Sequence, residues 1–261
     1  MISTTRTVPW EGQAVDQAVD ILDAAGGLVV APTKVGYVLI ATDGAGLERK
    51  FSAKQRKRNK PGVVLCSSMA QLEELAVLND EIRAFYQKHW DDDILLGCIL
   101  PWRTEALALL PDETARELAR DGRGTSCFVI RFGTPAEQIV GELWRSRSKL
   151  SFASSANPSG VGNRGRVSGI GPRIEAEADL IVAADDYVHS IQPDRDDDSR
   201  HEQGVMVSMV DGVGDLVPEQ HGERRITPAP TVIRRGLDID RIMDTLADTF
   251  PSWDYRHGDY Y

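Results

Sequence analysis

The stretch KLSFASSANPSG, residues 149–160, joins a short apolar run to a cluster of hydroxyl and amide side chains. The apolar run predicts a strand over 149–153, and Pro158 with Gly160 predicts a turn directly after it. Ligand crevices of α/β sheets lie at the carboxyl ends of strands, where small residues let the backbone approach an anion. The same composition is also typical of an ordinary turn, so the stretch alone leaves both interpretations open.

Further strands and helices alternate on both sides of this stretch. Apolar runs and apolar periodicity predict strands near 28–31, 37–41, 63–66, 97–100, 127–132, 180–184, 205–210 and 231–233, and helices near 13–25, 45–54, 70–77, 80–89, 135–145 and 237–247. This alternation without a break in composition predicts one α/β (α+β) domain around a mixed sheet. We expect an N-terminal arm (1–12), the domain itself (13–247) with an acidic exposed loop (185–204), and a C-terminal aromatic tail (248–261).

Length and composition exclude several classes of protein. The chain has 261 residues, 41% of them hydrophobic, and a net charge of −10, which indicate an ordinary globular protein and disfavour a dedicated nucleic-acid binder. The absence of any apolar run of membrane-spanning length or of a secretory signal predicts a cytoplasmic protein with no membrane partner. Three single cysteines without CxxC spacing predict buried small side chains and not a disulfide framework or zinc site.

A second segment stands out by its charge. Residues 54–60, Lys-Gln-Arg-Lys-Arg-Asn-Lys, hold five cations in seven positions of an otherwise acidic chain. Such a field suits a compact polyanion such as a nucleoside triphosphate, although a solvated helix end would have the same composition. Neither GxGxxG nor GxxxxGKS occurs, so a Rossmann site or a P-loop is not supported.

Together these segments resemble the KxR…SxN signature of the YrdC family. Lys54-Gln55-Arg56 with Lys60-Pro61 is similar to the first part, and Ser155-Ala156-Asn157-Pro158-Ser159-Gly160 to the second. Four further pieces occur in the family's order, namely Pro32-Thr33 with Tyr37, Cys127 to Arg131, Ser208 to Asp211, and Ile233 to Gly236. The similarity extends over roughly residues 14–245.

The resemblance implies a fold and a reaction. It implies a single YrdC-like domain, with helices packed on a twisted mixed sheet and a basic concave cleft that can also hold double-stranded RNA. Family members make threonylcarbamoyl-AMP from ATP, bicarbonate and L-threonine, usually with Mg2+, and release pyrophosphate. The product serves tRNA threonylcarbamoyladenosine biosynthesis, so ATP, bicarbonate, an amino acid, and tRNA or a tRNA-modifying complex are the implied partners.

The resemblance also implies roles for individual residues. The implied catalytic residues are Lys54, Arg56, Ser155 and Asn157. The implied ATP contacts are Lys54, Arg56, Lys60, Ser126, Ser155, Asn163 and Arg234. The implied amino-acid contacts are Thr33, Tyr37, Arg131 and Ser208, whereas no metal ligand is assigned.

Departures from the family pattern cluster in the half of the site that would bind the amino acid. Lys34-Val35-Gly36 replaces Glu-Thr-Val, Val38 replaces a glycine, and Trp90 to Leu95 replaces the WPGPxT segment. Leu65 stands where some synthases have a histidine. The acceptor is therefore expected to be threonine or another amine or amino acid. A double-stranded RNA-binding module and a catalytically silent member that binds nucleotide or a protein partner remain the competing hypotheses.

Overall fold

In a computed structural model, which describes residues 6–55, 61–158, 160–196 and 199–256, the chain forms one mixed sheet covered by helices. Within those ranges the strands are β1 (Arg6–Pro9), β2 (Val29–Thr33), β3 (Gly36–Ala41), β4 (Val63–Leu65), β5 (Leu96–Pro101), β6 (Thr125–Ile130), β7 (Phe152–Ser155), β8 (Leu180–Ala183), β9 (Val205–Ser208), β10 (Thr231–Arg234) and β11 (Asp254–Tyr255). The helices are α1 (Asp16–Asp23), α2 (Gly44–Lys54), α3 (Met69–Leu75), α4 (Asp80–Asp91), α5 (Glu113–Ala119), α6 (Thr134–Arg147), α7 (Pro172–Glu177), α8 (Asp185–Ile191) and α9 (Ile239–Thr249). Short 3-10 turns occupy Glu105–Leu109 and Val167–Gly169.

The strand order is β1-β8-β2-β3-β7-β4-β6-β5-β9-β10-β11. Neighbours pair in both directions: β3 is antiparallel to β2 and to β7, while β4 is parallel to β6 and β5 to β9. The mixed α/β architecture predicted from the sequence is confirmed. Among the described residues, no helix is long and apolar enough to cross a membrane.

Alternation along the strands gives the sheet two apolar faces. In β2, Val30 points into the cluster with α2, α3, α4 and α9, whereas Val29 and Ala31 point to the opposite cluster with α1 and α6. All three side chains are fully buried. Because successive strand residues point to opposite faces, a near-continuous apolar strand indicates that helices cover both sides.

The sheet curls enough to bring two distant strands into contact. The Lys34 amide, just beyond β2, donates a hydrogen bond of 2.8 Å to the Phe132 carbonyl, just beyond β6. Three strands, β3, β7 and β4, lie between β2 and β6 in the sheet. A flat sheet with strands about 4.8 Å apart could not form this contact, so the surface between the two strand ends is concave.

Three segments differ from the sequence-based expectation. The prediction of an exposed loop over 185–204 is wrong for its first part, because residues 185–191 form α8, whose Val188 is fully buried. Asp185 and Asp186 lie in the first turn of α8, where the helix dipole stabilises negative charge, so an acidic cluster is compatible with a helix start. The arm and the tail also join the sheet, as β1 beside β8 and β11 beside β10.

Candidate functional site

The site is built around Lys54, the last residue of α2. Asp43 caps the start of that helix by accepting a hydrogen bond of 2.7 Å from the Gly46 amide, and Gln55 ends it in the left-handed region at φ 49°. The Lys54 side chain is buried, and its Nζ donates to the carbonyl and, at 3.1 Å, to the hydroxyl of Ser155 at the end of β7. Two implied catalytic residues 101 positions apart therefore meet.

Asn163 and Asn157 lie in the loop that follows β7. The Asn163 Nδ2 donates 2.8 Å to the Tyr37 carbonyl, and its Oδ1 accepts from the Gly165 amide at 3.0 Å. Asn157 is buried with its Nδ2 bonded to the Pro158 carbonyl, while its Oδ1 has no hydrogen-bond partner within the described part of the chain. A buried acceptor left without a donor is costly, so this oxygen is suited to a ligand hydroxyl or a cation.

Gly36 makes the approach of Asn163 possible. It has φ +99°, which L side chains rarely adopt, and a Cβ at this position would lie 2.0 Å from the Asn163 Oδ1. This departure from the family pattern thus has a steric reason in this chain.

Ser126, Ser208 and Arg234 make hydrogen bonds with groups other than Lys54 and Ser155. The Ser126 hydroxyl is buried, donating 2.6 Å to the Ala119 carbonyl and accepting from the Trp102 Nε1 at 2.7 Å. Ser208 bonds the Val210 carbonyl at 3.1 Å, and the Arg234 Nε bonds the Gly204 carbonyl at 2.8 Å. Their ligand contacts stay predictions.

Arg56 and Lys60 lie outside the described residues, and the predictions for them stand as sequence-based expectations.

Thr33 and Tyr37 have structural partners of their own. The Thr33 hydroxyl donates 2.6 Å to the Gly36 carbonyl and closes the turn between β2 and β3. The Tyr37 hydroxyl donates 2.5 Å to the Asp185 Oδ1 and accepts from the Ala184 amide at 2.9 Å. Burial and the neighbouring Asp185 raise the pKa of Tyr37 well above its usual value. The phenol is therefore a neutral tie between β3 and α8.

Arg131 lies just beyond β6 and is held by the turn after α4. Its Nε donates 2.8 Å to the Trp90 carbonyl, and its guanidinium carbon lies 3.9 Å from the centroid of the Trp90 ring. The Asp93 Oδ1 lies 3.8 Å from the same Nε and 2.8 Å from the Lys34 Nζ. One carboxylate thus bridges two cations from different parts of the chain.

Sequence reasoning did not assign Lys34, Asp93 or Glu137 to the site. Glu137, in the first turn of α6, accepts 3.0 Å from the Gly133 amide and faces Arg131, Lys34 and Asp93, while burial raises its pKa above the usual carboxyl value. The sequence did contain a signal for these residues: relative to the family pattern, a basic residue replaces an acidic one at position 34, and acidic residues are gained at 91–93. Those compensating charges fall in the two segments that depart from the family pattern.

The α/β fold with the Lys54–Ser155 contact defines a YrdC-like domain. Residues 22–195 match the profile of the Sua5/YciO/YrdC family, described as "Telomere recombination". Because the match covers more than half of the sequence, the chain belongs to this family.

Solved structures give the same fold. The chain is similar to a hypothetical protein from Streptococcus mutans, with 55% identity over 98% of this chain and 99% of that one, at a TM-score of 0.92. E. coli YciO shares 18% identity over 89% of this chain and 96% of its own, at 0.63. P. abyssi Sua5 in complex with L-threonine shares 17% over 97% of this chain and 62% of its own, also at 0.63. No curated protein matches the sequence.

Proposed function

We propose that this protein is an ATP-dependent enzyme that forms threonylcarbamoyl-AMP, or a related carbamoyl-type adenylate, and releases pyrophosphate. The observation that carries this proposal is the convergence of Lys54 with Ser155, because it places a cation at the carboxyl end of a central strand beside small hydroxyl and amide groups. Family membership supports the same reaction class.

The reaction needs alignment and charge stabilisation more than covalent help from the protein. Bicarbonate first gives carbon dioxide by releasing hydroxide, and the acceptor amine adds to the carbon of that carbon dioxide. The amine loses a proton, which combines with the hydroxide to form water, and a carbamate results. A carbamate oxygen then attacks the α-phosphorus, and the bond from phosphorus to the bridging oxygen breaks, so that pyrophosphate leaves with the electron pair. Lys54 would stabilise the charge that develops on the phosphate oxygens.

The loop after β7 would bind the rest of the nucleotide. The Asn157 Oδ1 would accept from a ribose hydroxyl, and Ser155 would line the phosphates. Among the described residues there is no group of three metal-ligating side chains. Mg2+ commonly binds through substrate phosphates with one or two protein oxygens, so the Ser155 hydroxyl would contribute a protein oxygen to Mg2+ bound on ATP.

The acceptor would lie toward Arg131, whose guanidinium can bind a carboxylate bidentately. L-threonine is the first amino acid to test, because the P. abyssi Sua5 structure holds it. Arg56 and Lys60 would add positive charge on the phosphates.

The test is pyrophosphate release by the purified protein with ATP, Mg2+, labelled bicarbonate and each amino acid in turn. We expect release with at least one acceptor and its loss in Lys54→Met. Lys88→Met, which removes an exposed cation paired with Asp92, is the matched control and should retain activity. Absence of release with every acceptor, beside an active family synthase, would contradict the proposal.

One observation favours a second candidate, a member that binds nucleotide without turning it over. Arg131 already has Trp90 and Asp93 as partners, so the residue expected to bind the acceptor carboxylate is partly occupied by groups of the protein itself. ATP binding in calorimetry without pyrophosphate release would identify this candidate. Binding of double-stranded RNA or tRNA rests on the cations of 56–60 and stays a prediction.

A further inference from the structure

The charged cluster of Lys34, Asp93, Arg131 and Glu137 carries an inference about acceptor selection. We propose that Asp93 is an internal competitor for the acceptor carboxylate, so that any acceptor bearing a carboxylate must displace it from Lys34 and Arg131. This proposal rests on the proposed function, because it takes Arg131 as the acceptor contact.

The geometry places the Asp93 carboxylate on the solvent side of both cations. The Asp93 side chain is 66% exposed, whereas those of Lys34 and Arg131 are 7% and 26% exposed. Asp93 Oδ1 lies 2.8 Å from the Lys34 Nζ, and Lys34 also donates to the Asp93 backbone carbonyl. A carboxylate arriving from solvent therefore meets Asp93 before it meets the buried ammonium.

Once Asp93 has moved away, the atoms that an acceptor carboxylate would bind are the terminal nitrogens of Arg131. Its contacts within the described residues use Nε and the face of the guanidinium, so neither Nη atom has a hydrogen-bond partner there. The Trp90 carbonyl accepts from both the Arg131 Nε and the Asp93 amide, the latter at 3.3 Å. This shared acceptor fixes the turn that bears Asp93 against the guanidinium.

The charges of the cluster disfavour an additional anion. Lys34 and Arg131 contribute two positive charges, and Asp93 with Glu137 can contribute two negative ones. A fifth segment also faces the cluster, since the Tyr187 hydroxyl of α8 accepts from the Thr134 amide at 3.0 Å and burial raises the pKa of Tyr187. An incoming carboxylate binds well only when Asp93 swings away, because like charges on one pair of cations repel.

Asp93 can be replaced without straining the backbone. It has φ +54°, in the left-handed region that asparagine and glycine tolerate best, and its side chain is largely exposed. Asp93→Asn keeps the shape and removes the charge, whereas Asp93→Gly removes the side chain altogether.

The experiment measures binding of L-threonine and of L-threoninamide, which lacks the carboxylate, by calorimetry in the presence of a non-hydrolysable ATP analogue. Both Asp93 variants should bind L-threonine about tenfold more tightly than the unaltered protein, with no gain for L-threoninamide. Asp92→Asn is the matched control, since Asp92 lies in the same turn but pairs with Lys88 and Arg241. Its affinity for L-threonine should not change.

An equal or weaker L-threonine affinity in both Asp93 variants, or no detectable binding in any of the proteins, would overturn the proposal. An equal gain for L-threoninamide would also overturn it, because the effect would then not concern the carboxylate. Binding of the ATP analogue is measured separately. Its absence in the unaltered protein would contradict the proposed function itself, whereas normal analogue binding with no gain in the variants contradicts the role of Asp93 alone.

Discussion

Two cations of the candidate site, Lys54 and Arg131, have different surroundings. Lys54 donates to two neutral oxygens, the carbonyl and the hydroxyl of Ser155. Arg131 lies against a tryptophan ring and a carboxylate, with Lys34 competing for the same carboxylate. In the acceptor half the positive charges of Lys34 and Arg131 are therefore already paired with Asp93, and this is the half in which the sequence departs from the family pattern.

The largest expected effect separates the two cations directly. Lys54→Met should weaken ATP binding by about 2–3 kcal/mol, the usual scale for hydrogen bonds to a charged group, while Arg131→Met should leave it within about twofold. Titration calorimetry with ATP and Mg2+ measures both. An equal loss of ATP affinity in the two variants would contradict the assignment of Lys54 to the nucleotide and of Arg131 to the acceptor.

Tyr37 connects the halves, and its loss should have the next largest effect. Its carbonyl accepts from Ala156 and Asn163 in the nucleotide half, and its hydroxyl holds Asp185 at the start of α8. Tyr37→Phe should lower the free energy of unfolding by about 1–2 kcal/mol, because Asp185 loses a buried donor. Chemical denaturation measures this free energy. A change below about 0.3 kcal/mol would show that the hydrogen bond between Tyr37 and Asp185 does not stabilise the fold.

A smaller effect is expected from the ring beneath Arg131. Trp90→Leu removes the stacked aromatic face and should weaken acceptor binding by about 1 kcal/mol, the scale of a partly desolvated cation–π contact. ATP affinity is the internal control and should not change. Stronger acceptor binding in this variant would mean that the tryptophan restrains Arg131 and does not position it.

The smallest effect concerns pH and Glu137. Because burial raises the pKa of Glu137 in the folded state above its value of 4.5 in the unfolded chain, ionisation of this carboxyl disfavours folding as the pH rises. Glu137→Gln should therefore have a higher Tm than the unaltered protein at pH 7, with the difference vanishing below about pH 4.5. A Tm difference that is independent of pH would argue against this assignment.

Local patterns predicted much of the nucleotide half. The helix that ends at Lys54 and the strand beside the hydroxyl-rich stretch were predicted from short segments, although the strand spans Phe152–Ser155 and not 149–153. The family resemblance indicated that the two belong to one site. The pairing of Lys34 with Asp93 joins positions 59 apart through the curl of the sheet, and no local propensity encodes it. Helix α8 was missed because its aspartates suggested solvent, although Val188 on its inner side is buried. The two-residue strand β11 is too short for any periodicity to show.

The hydrogen bond from the Lys34 amide to Phe132 closes five strands, β2 through β6 in spatial order, into a ring of contacts. Because this hydrogen bond joins the ends of β2 and β6, any movement that separates those two strand ends would lengthen or break it. The hydrogen-exchange rate of the Lys34 amide therefore reports how often the ends of β2 and β6 separate. A small molecule that binds between these strand ends should slow the exchange of this amide. A polymeric ligand that separates the two strand ends should accelerate it.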